Sequence, residues 1–276
     1  MSGHHSITGA ALVAGIAGQP VSHSLSPIIH NAWMAGAGDD AAYLPFAPRD
    51  AAGFDTLIAA GRAGLIVGLN VTAPFKEQAF AAADRATAAA QAVSSANILI
   101  FKAGQIEADS SDGVGVLYAL KTQAPDLNLK DASVVILGAG GAARAGAGAL
   151  IEAGARIGIL NRTRERAEGL ARDLGSSVSV VEASALASAD LVINALSIRP
   201  DIDLEALKPS AVVMDMTYRP VLTPFLQAAR DRGLTTVDGL AMLIGQAAPF
   251  YQALFQREPP AIDLRQLLIA HLGDAA

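Results

Sequence analysis

One stretch near the middle of the chain limits the fold more than any other. Ser133-Val134-Val135-Ile136-Leu137 is a β-branched apolar run that leads directly into Gly138-Ala139-Gly140-Gly141-Ala142-Ala143-Arg144. A strongly helix-forming stretch, residues 145–152, follows, then Gly154 and a second apolar run, Arg156-Ile157-Gly158-Ile159-Leu160. Strand, glycine-rich turn, helix and strand within about 30 residues make a βαβ unit. In that setting Gly138 permits the tight turn, Gly140 lets the backbone approach a pyrophosphate, and Ala143 lets the helix pack closely on the strand. The first amides of the helix then face the phosphates. The turn 138–142 is therefore read as dinucleotide-binding, the structural alternative being a tight βα turn without a ligand.

The alternation continues on both sides. A helix is expected over 164–174, closed by Gly175, strands over 178–181 and 191–194, and an apolar run over 211–216. A helix over 224–232, closed by Gly233, and a short strand over 235–237 complete the series. Strands alternating with helices imply a doubly wound parallel sheet with right-handed crossovers. The N-terminal part alternates too, with strands at 12–17 and 65–71, helices at 27–34 and 77–90, and a hairpin of 98–101 and 105–108 around Ala103-Gly104. Residues 1 to about 110 thus read as a separate α/β layer, joined by a helix over 112–123. The tail helices, 240–251 and 264–271, can pack on either domain.

Composition narrows the function classes. The chain has 276 residues, 52% hydrophobic and 17% charged, enough for one large domain or two smaller ones and too apolar for a disordered chain. Its net charge of −6, from 20 basic and 26 acidic residues, argues against nucleic acid as the main partner. No cysteine is present, which excludes disulfides, thiolate catalysis and Cys-based zinc sites. The chain contains no GxSxG, HExxH or Walker lysine motif. His4 and His5 have no ligand partner at metal-binding spacing, and His30 and His271 fall in helical contexts, so no metal is expected. No apolar run reaches the roughly 18 residues of a membrane span. No Lys or Arg precedes the apolar stretch Ile7–Gly18, which reads as a buried strand rather than a signal peptide. The expectation is a cytoplasmic protein with no membrane association. The glycosylation triplets at Asn70 and Asn161 are then chance matches.

The second βαβ strand ends in Asn161-Arg162-Thr163-Arg164, with Arg166 just beyond. A site for NAD would carry an acid there to accept from the ribose 2′-OH. Guanidinium groups and a hydroxyl instead match a 2′-phosphate, so NADP is the expected cofactor. Arg164 best fits a plain solvated helix start.

Outside this domain, Ser22-His23-Ser24-Leu25-Ser26-Pro27 sets three serines between a strand and a helix. Ser26 reads equally as the N-cap of that helix. Ser24 is harder to explain as a cap, and two hydroxyls two apart suit one anionic ligand. Asn70-Val71-Thr72-Ala73-Pro74-Phe75-Lys76 places a lysine at a helix start. The helix dipole disfavours a cation there, so a catalytic proton role is the better explanation. Asn97 and Asp112 stand in further polar loops, Asp112 being open to a capping role.

Together these segments resemble the shikimate dehydrogenase family over almost the whole chain. The resemblance is carried by Ser24-Leu25-Ser26-Pro27 with Ile29-His30-Asn31, by the 70–76 segment, by Asp112-Gly113-Val114-Gly115, and by Gly138–Ala142. Asn161-Arg162-Thr163, Asp215-Met216-Thr217-Tyr218, and Asp238–Leu243 with Gln246 complete it.

The resemblance implies an enzyme that reduces the 3-carbonyl of 3-dehydroshikimate with NADPH. Ser24 and Ser26 would hold the substrate carboxylate, with Thr72, Asn97, Tyr218 and Gln246 as further substrate contacts. Lys76 and Asp112 would flank the reacting oxygen. Hydride arriving at C3 makes an alkoxide that needs a proton, which Lys76 can supply while Asp112 holds its ammonium, the two forming one coupled unit. Gly138, Ala139, Gly140, Gly141, Ala142, Asn161, Arg162, Thr163, Arg166, Met216 and Gly239 would contact the cofactor. The implied domains are 1–111, completed by 240–276, for substrate and catalysis, and 112–239 for NADP. A monomer or homodimer is expected, with a small-molecule substrate as partner. The chain departs from the family's usual pattern at Ser95-Ala96-Asn97-Ile98 and at Ser110-Ser111-Asp112. Alternatives are a quinate/shikimate dehydrogenase with relaxed substrate or cofactor use, and an NADP-binding sensor without turnover.

Overall fold

The computed structural model of the chain describes residues 7–273; His4 and His5 lie outside the described residues. The chain divides into two compact units, one formed by the residues up to Ser111 with Ala247–Leu272, the other by Asp112–Gln246.

The first unit runs through β1 (Leu12–Ala17), α1 (Ser26–Ala37), β2 (Ala41–Phe46), α2 (Ala51–Arg62), β3 (Gly68–Val71) and α3 (Lys76–Ala82). It continues with β4 (Arg85–Ala86), α4 (Ala88–Val93), β5 (Ile98–Lys102) and β6 (Gln105–Asp109). The sheet order is β2-β1-β3-β5-β6-β4. The β1–β2, β1–β3 and β4–β6 pairs are parallel, whereas β3–β5 and β5–β6 are antiparallel. The β5–β6 hairpin turns on Ala103 (φ 50°) and Gly104 (φ 77°). Positive φ at both central residues is what a two-residue type I′ turn requires.

The single helix expected over 77–90 is instead α3, the two-residue strand β4, and α4. Local composition favours a helix, but tertiary pairing overrides it. The Asp84 N–H donates to Ile106 C=O, its carboxylate accepts from Ile106 N–H, and the Arg62 guanidinium grips the same carboxylate at 2.7 Å. Thr87 then caps α4 by accepting the Ala90 N–H. Two elements had no clear signal in the sequence. β2 contains Pro45, which lacks an N–H and is tolerated because β2 is the sheet edge. α2 contains Gly53 and Gly61, and its start is secured by Asp50, which accepts the Gly53 N–H.

The second unit holds α5 (Asp112–Gln123), β7 (Ser133–Leu137), α6 (Gly141–Glu152), β8 (Arg156–Leu160), α7 (Arg164–Leu174) and β9 (Val178–Val180). After a 3₁₀ turn at Ala183–Ser188 come β10 (Leu191–Asn194), β11 (Val212–Asp215), α8 (Pro224–Asp231) and β12 (Thr235–Val237). Its six strands are all parallel, in the order β12-β11-β10-β7-β8-β9. The order reverses between β7 and β10, the switch point at which doubly wound sheets bind ligands. Both faces are buried, which explains the continuous apolar strands. Val134, Ile136, Ile157, Ile159 and Ile193 pack with Leu120, Leu150 and Leu170, whereas Val135, Leu137, Val192 and Val213 pack with Leu186, Phe225 and Leu226. Helix α9 (Gly239–Phe255) contributes to both units, the division falling after Gln246, and α10 (Leu264–Leu272) belongs to the first. Among the described residues no helix is long and apolar enough to cross a membrane, and no group of His, Asp and Glu is placed to hold a metal.

In the first unit α1 and the end of α9 bring an aromatic cluster onto β2. The His30 ring stacks on Tyr43 at 4.4 Å and meets Trp33 and Phe250 edge-on. Burial lowers its pKa from 6.5 to about 3. The unfolded chain takes up a proton here near pH 6.5, whereas the folded chain resists it until about pH 3. Stability is therefore lost as pH falls through this window, by about 2 kcal/mol at pH 5. His30→Phe should flatten the pH dependence of stability between pH 7 and 5, measured by urea unfolding. A parent-like slope in that variant would show that His30 does not contribute to it.

Candidate active site

The polar residues of the first unit lie where β1 and β3 end and where β5 and α1 begin. Ser26 is not the cap of α1: Leu25 occupies that position and Ser26 is the first helical residue, 9% exposed. Ser24 makes the local turn instead, its Oγ accepting the Ser26 N–H at 3.3 Å. The two hydroxyls thus come from positions two apart in one ordered turn. Thr72 follows β3, its N–H bonded to Ala17 C=O at 2.9 Å and its C=O accepting the Phe75 N–H at 3.1 Å. This turn delivers Lys76, half-buried, as the first residue of α3. The Lys76 carbonyl accepts the Ala96 N–H at 3.0 Å, tying the start of α3 to the segment that carries Asn97.

Asn97 is buried, and Ser111 bonds to both ends of its carboxamide. Its Oδ1 accepts the Ser111 N–H at 2.8 Å, and its Nδ2 donates to Ser111 Oγ at 3.1 Å. One of the two departures from the family pattern is therefore the residue that orients Asn97. Asn70, at the end of β3, donates from Nδ2 to Asn97 C=O at 3.2 Å and accepts the Tyr43 hydroxyl at 2.7 Å. Neither Tyr43 nor Ser111 was singled out as a site residue by the sequence, and Asn70 only as part of its motif. Tyr43 sits on a strand whose proline masks it, and Ser111 matters only through what it touches.

In the second unit the glycine-rich turn borders the switch point. Gly138 has φ 115°, a conformation that L side chains rarely adopt, and it lies against Leu196 beyond β10. A Cβ added at Gly140 or Gly141 would meet nothing within 4 Å. With Ala139 and Ala142, these residues form an open cradle over the N-terminus of α6, which fits a pyrophosphate. At the end of β8, Asn161 Nδ2 donates to Thr163 C=O at 2.8 Å, and Thr163 occupies the cap position of α7 without its side chain capping. Arg164 is engaged by Glu168 at 2.9 Å and Glu182 at 3.0 Å, which raises its pKa. Arg162 and Arg166 are exposed and make no ion pair among the described residues.

The loop after β11 carries Met216 and Tyr218. Buried Asp215 pins it: one carboxylate oxygen accepts the Thr217 N–H and Asn194 Nδ2, both at 3.0 Å, and the other accepts the Thr223 hydroxyl at 2.7 Å. A Cβ on Gly239 would lie 2.4 Å from Met216 C=O, so the start of α9 can approach this loop only with glycine there. Tyr218 is half-buried; burial raises its phenol pKa, with Arg219 opposing. Asp112 is the first residue of α5 and 5% exposed, and Gln246 lies half-buried on α9. Ser24, Ser26, Thr72, Lys76 and Asn97 thus belong to the first unit, and Asp112, Tyr218, Gln246 and the residues expected to contact the cofactor to the second.

A doubly wound sheet with a glycine-bordered cradle and a basic exit from its second strand defines the class, a dinucleotide-linked oxidoreductase. Residues 16–99 match the shikimate dehydrogenase substrate binding domain, and residues 119–222 match shikimate / quinate 5-dehydrogenase. The chain belongs to the shikimate dehydrogenase family. A shikimate dehydrogenase (NADP(+)) of Caulobacter vibrioides is 48% identical, covering 98% of this chain and 99% of its own. The crystal structure of a Thermus thermophilus shikimate 5-dehydrogenase with NADP(H) and shikimate superposes with TM-score 0.83 at 32% identity, covering 90% of this chain and 95% of that one. A shikimate dehydrogenase solved with NADP+ gives TM-score 0.89 at 32% identity, covering 97% and 98%.

Proposed function

We propose that this chain catalyses the reversible NADPH-dependent reduction of 3-dehydroshikimate to shikimate, a step toward chorismate and the aromatic amino acids. The observation that carries the reading is the pairing of an open cradle at 138–142 with two unengaged arginines, 162 and 166, in a chain of this family. We assign the substrate to the first unit and NADP to the second. NADPH, when bound, supplies the hydride to C3. The Ser24 and Ser26 hydroxyls hold the substrate carboxylate. Thr72, Asn97, Tyr218 and Gln246 hold the rest of the ring, Asn97 with its carboxamide already turned by Ser111. Lys76 Nζ gives the proton to the oxygen on C3, and Asp112 keeps that ammonium in place. We place the protein in the cytoplasm, acting as a monomer or homodimer.

Initial rates with shikimate or quinate, each with NADP or NAD, test the reading. Turnover is expected with shikimate and NADP. A protein that binds NADP but turns over neither substrate would be a sensor, and quinate turnover at a rate similar to shikimate would make it a quinate/shikimate dehydrogenase. Within the same assay, Ser24→Ala should raise the shikimate KM about tenfold or more with a smaller change in kcat, because the lost charge-assisted hydrogen bond lies away from the reacting carbon. Ser26→Ala should do likewise, its melting temperature being followed alongside. An unchanged KM in both variants would remove the serines from the carboxylate site.

A further inference from the structure

Strands β1 and β3 pair in parallel, and their ladder ends with Ala17 opposite Val71. Gly18 and Thr72 are the next residues of the two segments. A Cβ on Gly18 would lie well under 3.0 Å from Thr72 Cγ2, a distance that real side chains do not show. The Thr72 Cβ, at 3.6 Å, and the Ala73 carbonyl oxygen, at 3.4 Å, would be in ordinary contact. One methyl group therefore fills the place that a side chain at 18 would take. Gly18 is not among the glycines with positive φ, so its backbone conformation is open to any residue. Glycine is needed there because of the Thr72 methyl.

Neither segment can draw back to make room. The Thr72 N–H donates to Ala17 C=O at 2.9 Å and the Gln19 N–H to Ala73 C=O at 3.0 Å, so backbone hydrogen bonds bracket the contact on both sides. The Gly18 N–H is itself held by Phe46 C=O at 3.1 Å, and Thr72 C=O accepts the Phe75 N–H at 3.1 Å. What remains able to move is the Thr72 side chain, by rotation about its Cα–Cβ bond.

That rotation is restricted. A threonine Cβ carries a methyl, a hydroxyl and a hydrogen in three staggered positions. With the methyl against Gly18, the handedness of the Cβ leaves the hydroxyl one position only. A side chain at 18 would admit nothing larger than the hydrogen at that place, and the hydroxyl would have to swing by about 120°.

We propose that Gly18 is a positioning residue for substrate binding. Its missing side chain is a socket for the Thr72 methyl, and the filled socket fixes where the Thr72 hydroxyl stands. This rests on the reading of Thr72 as a substrate contact. Gly18 brings no group of its own to the substrate and acts through Thr72.

In the full-length enzyme, Gly18→Ala should raise the shikimate KM about 5- to 12-fold, the worth of one hydrogen bond. The kcat should stay within about threefold of the parent, and the NADP KM should not move. Thr72→Ser keeps a hydroxyl and puts a hydrogen where the methyl was. Whatever KM that variant has by itself, adding Gly18→Ala should change it less than about twofold, because the contact that forces the rotation is gone. Thr72→Val has no hydroxyl to misplace, and there too Gly18→Ala should add little. Thermal unfolding is followed for every variant. If Gly18→Ala alone is too unstable to assay, the comparison of Thr72→Ser with and without Gly18→Ala carries the test.

A parent-like KM in a folded Gly18→Ala enzyme would overturn the proposal. So would the same rise in KM on adding Gly18→Ala to Thr72→Ser and to Thr72→Val, which would leave Gly18 a packing residue only. A Thr72→Val enzyme with the parent KM would instead strike at the reading of Thr72 on which the proposal rests. If Thr72→Val raises KM and Gly18→Ala does not, the Gly18 proposal fails on its own.

Discussion

In Lys76→Ala, kcat for shikimate oxidation is expected to fall by about 10²- to 10⁴-fold, the range over which a positioned acid–base group contributes. NADP binding should be intact, because Lys76 belongs to the first unit and the cradle at 138–142 to the second. The position itself carries the argument. Lys76 is the first residue of a short helix whose cap, Phe75, provides no side-chain hydrogen bond, a place where the dipole works against a cation. The start of that helix is tied through Ala96 to the segment bearing Asn97. Lys76→Met keeps the length without the charge and should be as slow. Asp112→Asn should lose nearly as much, and the double variant little more than the slower single one, since groups that act as a unit are not additive. A Lys76→Ala enzyme with near-parent kcat and only a raised shikimate KM would make Lys76 a binding residue.

Arg162→Ala should cost about 1.5–3 kcal/mol in kcat/KM with NADP, through the lost charge-assisted bond to the 2′-phosphate, and almost nothing with NAD. The parent enzyme should prefer NADP over NAD at least about tenfold by the same reasoning. Arg164 gives the internal contrast. It is engaged by Glu168 and Glu182, both ion pairs lying at the surface, so its removal should leave cofactor choice intact. Steady-state kinetics with both cofactors decide the matter. Equal losses with NADP and NAD would show that Arg162 holds a part of the cofactor common to both.

The second unit was the more legible half. Its strands are buried on both faces, so they appear as apolar runs, and several of the turns between strands and helices are marked by glycine, at 138–141, 154, 175 and 233. The hairpin at 98–109 was legible for a similar local reason, since Ala103-Gly104 supplies the two left-handed residues that the turn needs. The first unit was read less well where long-range contacts outvoted local preference. An alanine-rich stretch reads as one helix over 77–90, but Asp84 is captured by Arg62 and by the Ile106 backbone, and the chain leaves the helix there. Pro45 argues against a strand unless that strand is known to lie at a sheet edge, and only the sheet order supplies this.

The sequence by itself determined the doubly wound sheet, the glycine cradle, the absence of an acid after the second strand, and the residue types at 24, 26, 76, 97 and 112. These are properties of short segments, in which backbone conformation and side-chain chemistry depend on neighbours a few positions away. Only the tertiary structure decided that Ser24 rather than a cap residue orders the turn before α1, that Ser111 orients Asn97, and that Tyr43 reaches across β1 to Asn70. Each of these is a hydrogen bond whose donor and acceptor acquire their relative placement from the packing around them. Tyr43 and Asn70 are 27 residues apart in the chain, and no local pattern can bring a phenol to a carboxamide over that distance until the strands between them have been ordered into a sheet.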